Sequence, residues 1–468
     1  MRPSFLKPRT VLAGLALSVM AQGGVLADHP GRWLGNLTLP NGRTIQTGVE
    51  LFRRADGSAW ASLASPGRGA VDIPVASARE EGNTVLLDFT HATLQLTWTQ
   101  DHFHGEWRQG GDKLPFELRA TAAFPRPLRP QTPKPPFPYE DQPLAIRTPD
   151  GIFLGATLTL PKGSAQPDVV VLIGGSGPGN RDEDGGGHQP FAVLADQLAR
   201  RGLAVLRYDK RGVGRSTGNY YQHTDTQLIS DAAAVVRTLR ARHAFRRIGL
   251  LGHSEGSGLA ATVAAAHPDQ VDFVISMAGI GLSGLDSILV QDRVYAKDQG
   301  ASPAEVDQLM GYVRQYYGTI LAQADVPTRL AALRALQKGL SPELKALIEK
   351  RHMNEGTLSL DAAEEPALRA SLLSDIPAQW RAVRCPVLAL NGSLDHQVPP
   401  EHLQGILAAL KAGGNARVES ALLPSLNHLF QTAKTGREDE YDSLEETLAP
   451  SAIQRVADFV VGLGSNSR

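Results

Sequence analysis

The stretch Arg247–Ala261 reads RIGLLGHSEGSGLAA: a short apolar segment runs into one serine set among glycines, then into small residues that suit a helix. Gly252-His253-Ser254-Glu255-Gly256 has the spacing G-x-S-x-G, and it falls where a strand must turn into a helix. So sharp a turn strains its pivot and needs a glycine on each side for the two limbs to pass closely. Ser254 is thereby predicted to stand as an exposed nucleophile above the carboxyl ends of the strands. The competing reading is a passive serine in a glycine-rich turn. The strand before and the helix after argue against it, because the bare five-residue pattern alone does not discriminate.

A serine hydroxyl attacks only when a base takes its proton, and that base must be oriented by a third group. On a strand–helix elbow the partners follow in the order acid, then histidine. PVLALNGSLDHQVPP puts Asp395 in the loop after one strand, and RVESALLPSLNHLF puts His428 just past the last. The chain has 13 histidines, so chain order, not residue type, selects His428. His396 and His402 are the competing bases, and His253 is expected to point away and pack.

A tetrahedral intermediate also needs two backbone N–H groups facing its oxyanion. The amides of Glu255 and of Ser176, in IGGSGPGNRDEDGGGHQP, are the candidates, with Gly174 and Gly175 allowing close approach. The same glycines lack the G-K-[ST] ending and the G-x-G-x-x-G spacing of phosphate cradles. Arg181 and Asp182 read as ions bracing this loop. Asp209 and Arg211, in RYDKRGVGRSTG, read as buttresses of the neighbouring loop, the alternative being a substrate carboxylate site. His91, His102 and His104 lack a placed fourth ligand, so no metal is expected. No cofactor is expected either.

The elements that must position these residues begin after a proline-rich stretch. From Leu144 onward strands apolar on both faces, such as DVVVLI and LAVLRYD, alternate with helices such as DTQLISDAAAVVRTLRAR. That alternation predicts an α/β fold, a mainly parallel sheet with helices on both faces, spanning 144–468. A helical detour over about 281–380 interrupts it and is expected to cap the sheet, its apolar side chains forming an acyl pocket. Upstream, from Trp33 to about Arg119, short alternating segments broken by Asn41-Gly42, Asp56-Gly57 and Gly110-Gly111 predict a small all-β domain over 28–123, an antiparallel meander or small barrel. Residues 124–143 read as a stiff linker.

The 47 basic and 48 acidic side chains nearly cancel, which argues against a nucleic-acid partner. Arg2, Lys7 and Arg9 precede an apolar run from Val11 to about Ala21, then small residues ending Val25-Leu26-Ala27. This is the pattern of a secretory signal, residues 1–27, cut after Ala27. The run is shorter than the roughly 20 apolar residues of a spanning helix, so no membrane span is expected after its removal. Cys385 is the sole cysteine, which excludes an intramolecular disulfide and, being far from the cut, a lipoprotein-type attachment. A periplasmic or secreted protein is expected, of undetermined oligomeric state.

Together IGGSGPGNRD, LRYDKRGVGRS, GHSEG, NGSLDHQVP and LPSLNHLF resemble the α/β-hydrolase superfamily, in particular bacterial serine carboxylesterases of the EstD-like type. The likeness covers about Leu144 to Leu463. SPGRGAVDIPV and GEWRQGGDKLPFEL look like segments of the N-terminal β domain that some members carry. The resemblance implies hydrolysis of small-molecule esters with short acyl chains, a Ser254–Asp395–His428 triad, no metal and no organic cofactor. The same triad serves serine peptidases, thioesterases and acyltransferases, and those remain alternatives. A protein that only binds glycan or cell wall through Trp60, Trp98 and Trp107 is the third reading, opposed by the filled catalytic positions.

Overall fold

The computed structural model describes residues 24–464 apart from 128, 324, 354–357 and 365. Most of the expected leader therefore lies outside the described residues. Val25 and Leu26, on the leader side of the expected cut, are 7% and 5% exposed and pack into the first core. A cut after Ala27 would remove both.

Period-two alternation sends Trp33, Leu37, Val49, Leu51, Val85, Leu87, Leu94 and Leu96 to one face of a sheet. Its nine strands run, in spatial order, Ala70–Pro74, Ala59–Ser65, Thr44–Arg53, Gly31–Thr38, Asp112–Thr121, Phe103–Gln109, Thr93–Trp98, Thr84–Asp88 and Ser77–Glu81. Every neighbour pair is antiparallel. The two edge strands are consecutive in the chain yet do not pair, so the sheet is an open half-barrel, not a closed barrel. A turn from the second unit meets this seam: Asn219 Nδ2 donates to Ala76 O (3.1 Å) and the Tyr221 hydroxyl to Pro74 O (3.1 Å). The tryptophans pack. Trp98 stacks on His29 (3.7 Å between centroids) and meets Trp33 edge-on, Phe89 lies against Trp107, and the Arg54 guanidinium covers Trp60 at 3.3 Å.

The second sheet has eight strands, in spatial order Tyr139–Arg147, Phe153–Pro161, Ala204–Tyr208, Val169–Ile173, Ile248–His253, Phe273–Met277, Val387–Gly392 and Val418–Leu423. The first two strands form an antiparallel hairpin, the second runs antiparallel to Ala204–Tyr208, and the rest are parallel. Val169, Val171 and Ile173 face one helical layer, while Val170 and Leu172 face the other. That two-sided burial is why these strands read as continuous apolar runs. The hairpin starts at Tyr139, inside the proline-rich stretch, and Pro143 is accommodated because its strand is the sheet's edge. The remaining linker is not a free spacer: Arg129 donates to Leu444 O, Gly186 O and Asp442 O at 2.6–2.8 Å.

The detour forms helices from Gly284–Asp298 to Ile376–Ala382, several started by side-chain caps at Ser283, Ser302, Asp325, Ser341 and Asp375. They bury their own core around Leu309, Tyr312, Val313, Tyr316 and Tyr317. Trp380 belongs instead to the core of the sheet, its indole N–H donating to Ile280 O at 2.9 Å. Among the described residues no helix is long and apolar enough to cross a membrane.

Candidate active site

The strand Ile248–His253 passes into the helix Glu255–Ala266 through the single residue Ser254, at φ 54° and ψ −122°. Such a backbone is costly for a side-chain-bearing residue and persists only where its surroundings impose it. They do so by close packing. A Cβ on Gly252 would lie 2.2 Å from the Gly256 carbonyl, and one on Gly256 would lie 2.2 Å from Ile173 O. The Ser254 amide donates to Met277 O of the adjacent strand at 2.9 Å.

Asp395 and His428 come together although 33 residues separate them. Asp395 Oδ1 accepts the amides of Gln397 (3.0 Å) and Val398 (2.8 Å), which fixes the carboxylate. His428 Nδ1 then lies 2.9 Å from Oδ2 and 3.1 Å from Oδ1. Both residues are buried, at 1% and 4% exposure. Ser254, His428 and Ser176 line one cavity of about 180 Å³ together with Gly175, His253 and Glu183. Among the described residues no hydrogen bond joins Ser254 Oγ to the imidazole.

The rival histidines are elsewhere. His402 is fully buried, accepts the Gly281 amide at Nδ1 (3.2 Å), and burial pushes it down to about 4. His396 pairs with Asp298 at 2.9 Å on a larger neighbouring cavity of about 650 Å³, lined by Gln291, Asp292 and Arg437 among others. Among the described residues, none of 281–380 lines the Ser254 cavity. Many apolar side chains of the cap fill its own core, and cap residues such as Gln291, Asp292 and Tyr295 line the larger neighbouring cavity.

His253 also departs from expectation. It does not point away but lines the same cavity, its ring centroid 4.9 Å from that of His428. Nδ1 lies 2.9 Å from Glu183 Oε1, and Nε2 donates to His428 O (3.1 Å), a pattern that suits the charged ring beside a carboxylate. Burial favours the neutral form, but the Glu183 charge and hydrogen bond outweigh it and raise His253 to about 9. For Glu183 burial likewise opposes charge, and His253, the Gly175 amide and Lys210 together hold its carboxyl below the usual range. Sequence reasoning missed Glu183 and Lys210, since one is an acid in an acid-rich loop and the other a lysine beside an arginine.

Glu183 Oε1 also accepts the Gly175 amide at 2.7 Å, and Lys210 Nζ donates to the Gly175 carbonyl. A Cβ at Gly175 would stand 3.2 Å from that of Ser254, a tight approach that glycine avoids. Farther along the loop, Arg181 holds Asp209 through Nε (3.0 Å) and Nη2 (2.6 Å), and Asp182 pairs with Arg207. Arg211 grips Asp231 and Asp150. The half-barrel joins in: Asn180 donates to Asp72 at 2.9 Å. His102 and His104 share Glu117 at 2.6 and 2.9 Å, and no metal-binding cluster exists among the described residues.

A mainly parallel sheet covered on both faces, a strained serine at a strand–helix elbow and an Asp–His pair past the last two strands define the class: an α/β-hydrolase fold. A family described as serine aminopeptidase, S33 (Hydrolase_4) matches residues 188–431, and the chain belongs to that family. Esterase EstD of Thermotoga maritima is 35% identical over 125 residues, covering 27% of this chain and 30% of that protein. The AB hydrolase superfamily protein YisY of Bacillus subtilis is 24% identical over 246 residues, covering 51% of this chain and 79% of that one. The esterase Pf2001 of Pyrococcus furiosus aligns with 72% of this chain and 95% of its own at 16% identity and a TM-score of 0.40.

Proposed function

We propose that the protein hydrolyses carboxylic esters through an acyl-enzyme on Ser254. The observation that carries this is the strained Ser254 sharing one cavity with His428, whose Nδ1 is held by the buried Asp395. In this reading Ser254 Oγ attacks the ester carbonyl while His428 takes its proton. The oxyanion is met by the amides of Ser176 and Glu255, the latter at a helix start where N–H groups have no intrahelical acceptor. The C–O bond to the alcohol then breaks as His428 returns the proton to the leaving oxygen. Water, deprotonated by His428, cleaves the acyl-enzyme to acid and free serine. Contacts between nucleophile and base are commonly long without substrate.

Esterase EstD among the relatives supports ester chemistry; the family description, serine aminopeptidase, supports the peptidase alternative. A cavity of about 180 Å³ supports short acyl chains. We also propose export by the leader, to the periplasm or beyond. The test is hydrolysis of p-nitrophenyl acetate and butyrate beside aminoacyl-anilides, with Ser254→Ala as control. Ester turnover that vanishes in Ser254→Ala while the circular dichroism stays unchanged is expected. Turnover surviving in Ser254→Ala would reject the assignment, and anilides turned over faster than esters would move it to peptidase.

A further inference from the structure

Lys210 is buried to 6% exposure in the turn after the strand Ala204–Tyr208, and a buried ammonium needs partners. Its Nζ donates to Gly175 O and lies 3.4 Å from Glu255 Oε2. These two acceptors belong to the residue before Ser176 and to Glu255 itself, the two residues whose amides were assigned to the oxyanion. One cation thus spans both limbs of the candidate hole.

The peptide plane makes this consequential. In a trans peptide the N–H of residue 176 points opposite to the C=O of residue 175. Fixing the Gly175 carbonyl against Lys210 therefore fixes the direction of the Ser176 N–H. The other side of Gly175 is held too, because its own amide is taken by Glu183 at 2.7 Å. Ser176 N–H has no protein acceptor among the described residues, and Ser176 lines the cavity with Ser254.

We propose that Lys210 is a positioning residue for the oxyanion hole, its ammonium clasping Gly175 O and the Glu255 carboxylate so that the Ser176 and Glu255 amides keep one spacing. The proposal rests on the acyl-enzyme reading. Loss of the clasp should weaken stabilisation of the tetrahedral state while leaving ground-state binding of a small ester nearly untouched. Removing a whole oxyanion donor costs about 100- to 1,000-fold in kcat, so misaiming one is expected to cost about 10- to 100-fold.

Lys210→Met keeps the length of the side chain and removes its charge. The measurements are kcat and KM on p-nitrophenyl acetate and the inhibition constant of phenylboronic acid. Ser254 Oγ adds to that boron as its proton passes to His428, leaving a four-coordinate boron that carries the negative charge. The inhibition constant does not depend on the fraction of protein correctly folded, so a merely structural role would leave it unmoved. The expected result is a kcat lowered about 10- to 100-fold, KM nearly unchanged, and boronate affinity lowered in proportion. Lys210→Arg, which keeps charge and reach, should recover part of both. Wild-type boronate affinity in Lys210→Met would overturn the proposal. Should Lys210→Met not fold, Glu255→Gln addresses the other end of the clasp: kcat and boronate affinity falling together supports the proposal, and both at wild-type values overturns it. Wild type and Ser254→Ala run alongside. Turnover independent of Ser254 would sink the acyl-enzyme reading, whereas Ser254-dependent turnover with unaltered Lys210→Met kinetics overturns this proposal alone.

Discussion

His253 and His428 lie with ring centroids 4.9 Å apart, and each is held by its own carboxylate, the half-buried Glu183 for the first and the buried Asp395 for the second. The two pairs differ in what they leave available. His253 spends both nitrogens, on Glu183 and on the His428 carbonyl, so neither is free to take a proton from Ser254. His428 meets Asp395 through Nδ1 alone, which leaves its other nitrogen for proton transfer. One imidazole braces the loops; the other is suited to chemistry.

Asp395→Asn preserves the shape of the acid but loses the acceptor that selects the Nδ1–H form of His428. An effect on kcat on the order of 10³- to 10⁴-fold is expected, with KM changed little. Steady-state kinetics on p-nitrophenyl butyrate check it. A loss below about tenfold, well short of that range, would mean Asp395 does not orient the base.

Stability is expected to fall at alkaline pH as His253 loses its proton. Its folded value, about 9, is raised above the usual 6.5, so its contribution is complete below about 6.5 and is lost as pH rises through about 9. That shift corresponds to roughly 3 kcal/mol. Urea unfolding of wild type and His253→Gln should differ by about that amount near pH 6 and converge above the folded value. A gap independent of pH would show that the ring is not charged in the folded protein. Glu183 works at the other end: its folded value is depressed, so its contribution holds above the ordinary glutamate range and disappears as pH drops through the folded value.

Gly256→Ala places a Cβ 2.2 Å from Ile173 O and 2.7 Å from Gly174 O, backbone that leads directly into the loop facing Ser254. Overpacking of this kind destabilises by about 1–3 kcal/mol, and the displaced loop should lower kcat more than it raises KM. Denaturant midpoint and kinetics measured on one preparation test both effects. Wild-type values in both would refute the close-approach explanation of the elbow glycines.

In the proposed reaction the cavity of about 180 Å³ beside Ser254 would receive the acyl chain. Among p-nitrophenyl esters, kcat/KM should be highest for acetate to butyrate and fall steeply by octanoate. A maximum at octanoate or beyond would place the acyl chain elsewhere, the larger cavity at His396 being the nearest alternative through their shared Gln397.

How far the sequence discloses this molecule depends on how local each feature is. Parallel strands such as Val169–Ile173 are apolar throughout because both faces are covered, and the serine elbow is written in five adjacent residues; both were legible. Asp395 and His428 were legible through chain order, since the topology brings consecutive strand ends to one edge. The open seam of the half-barrel was not, because closure depends on whether Ala70–Pro74 and Ser77–Glu81 pair, and alternation is the same either way. Glu183 and Lys210 were hidden for a related reason. Their roles come from partners 70 and 35 residues away, His253 and Gly175, and no spacing marks them. What the cap covers was not legible, because helical periodicity reports an apolar face without saying what it packs against, and Tyr312, Tyr316 and Tyr317 cover one another.

The most direct measurement is the intact mass of the protein quenched in acid during turnover of p-nitrophenyl butyrate, followed by peptide mapping. One butyryl group per chain, mapped to Ser254 and missing from Ser254→Ala, is predicted. Rapid ester hydrolysis with no adduct on Ser254, or with an adduct on another residue, would contradict the covalent mechanism.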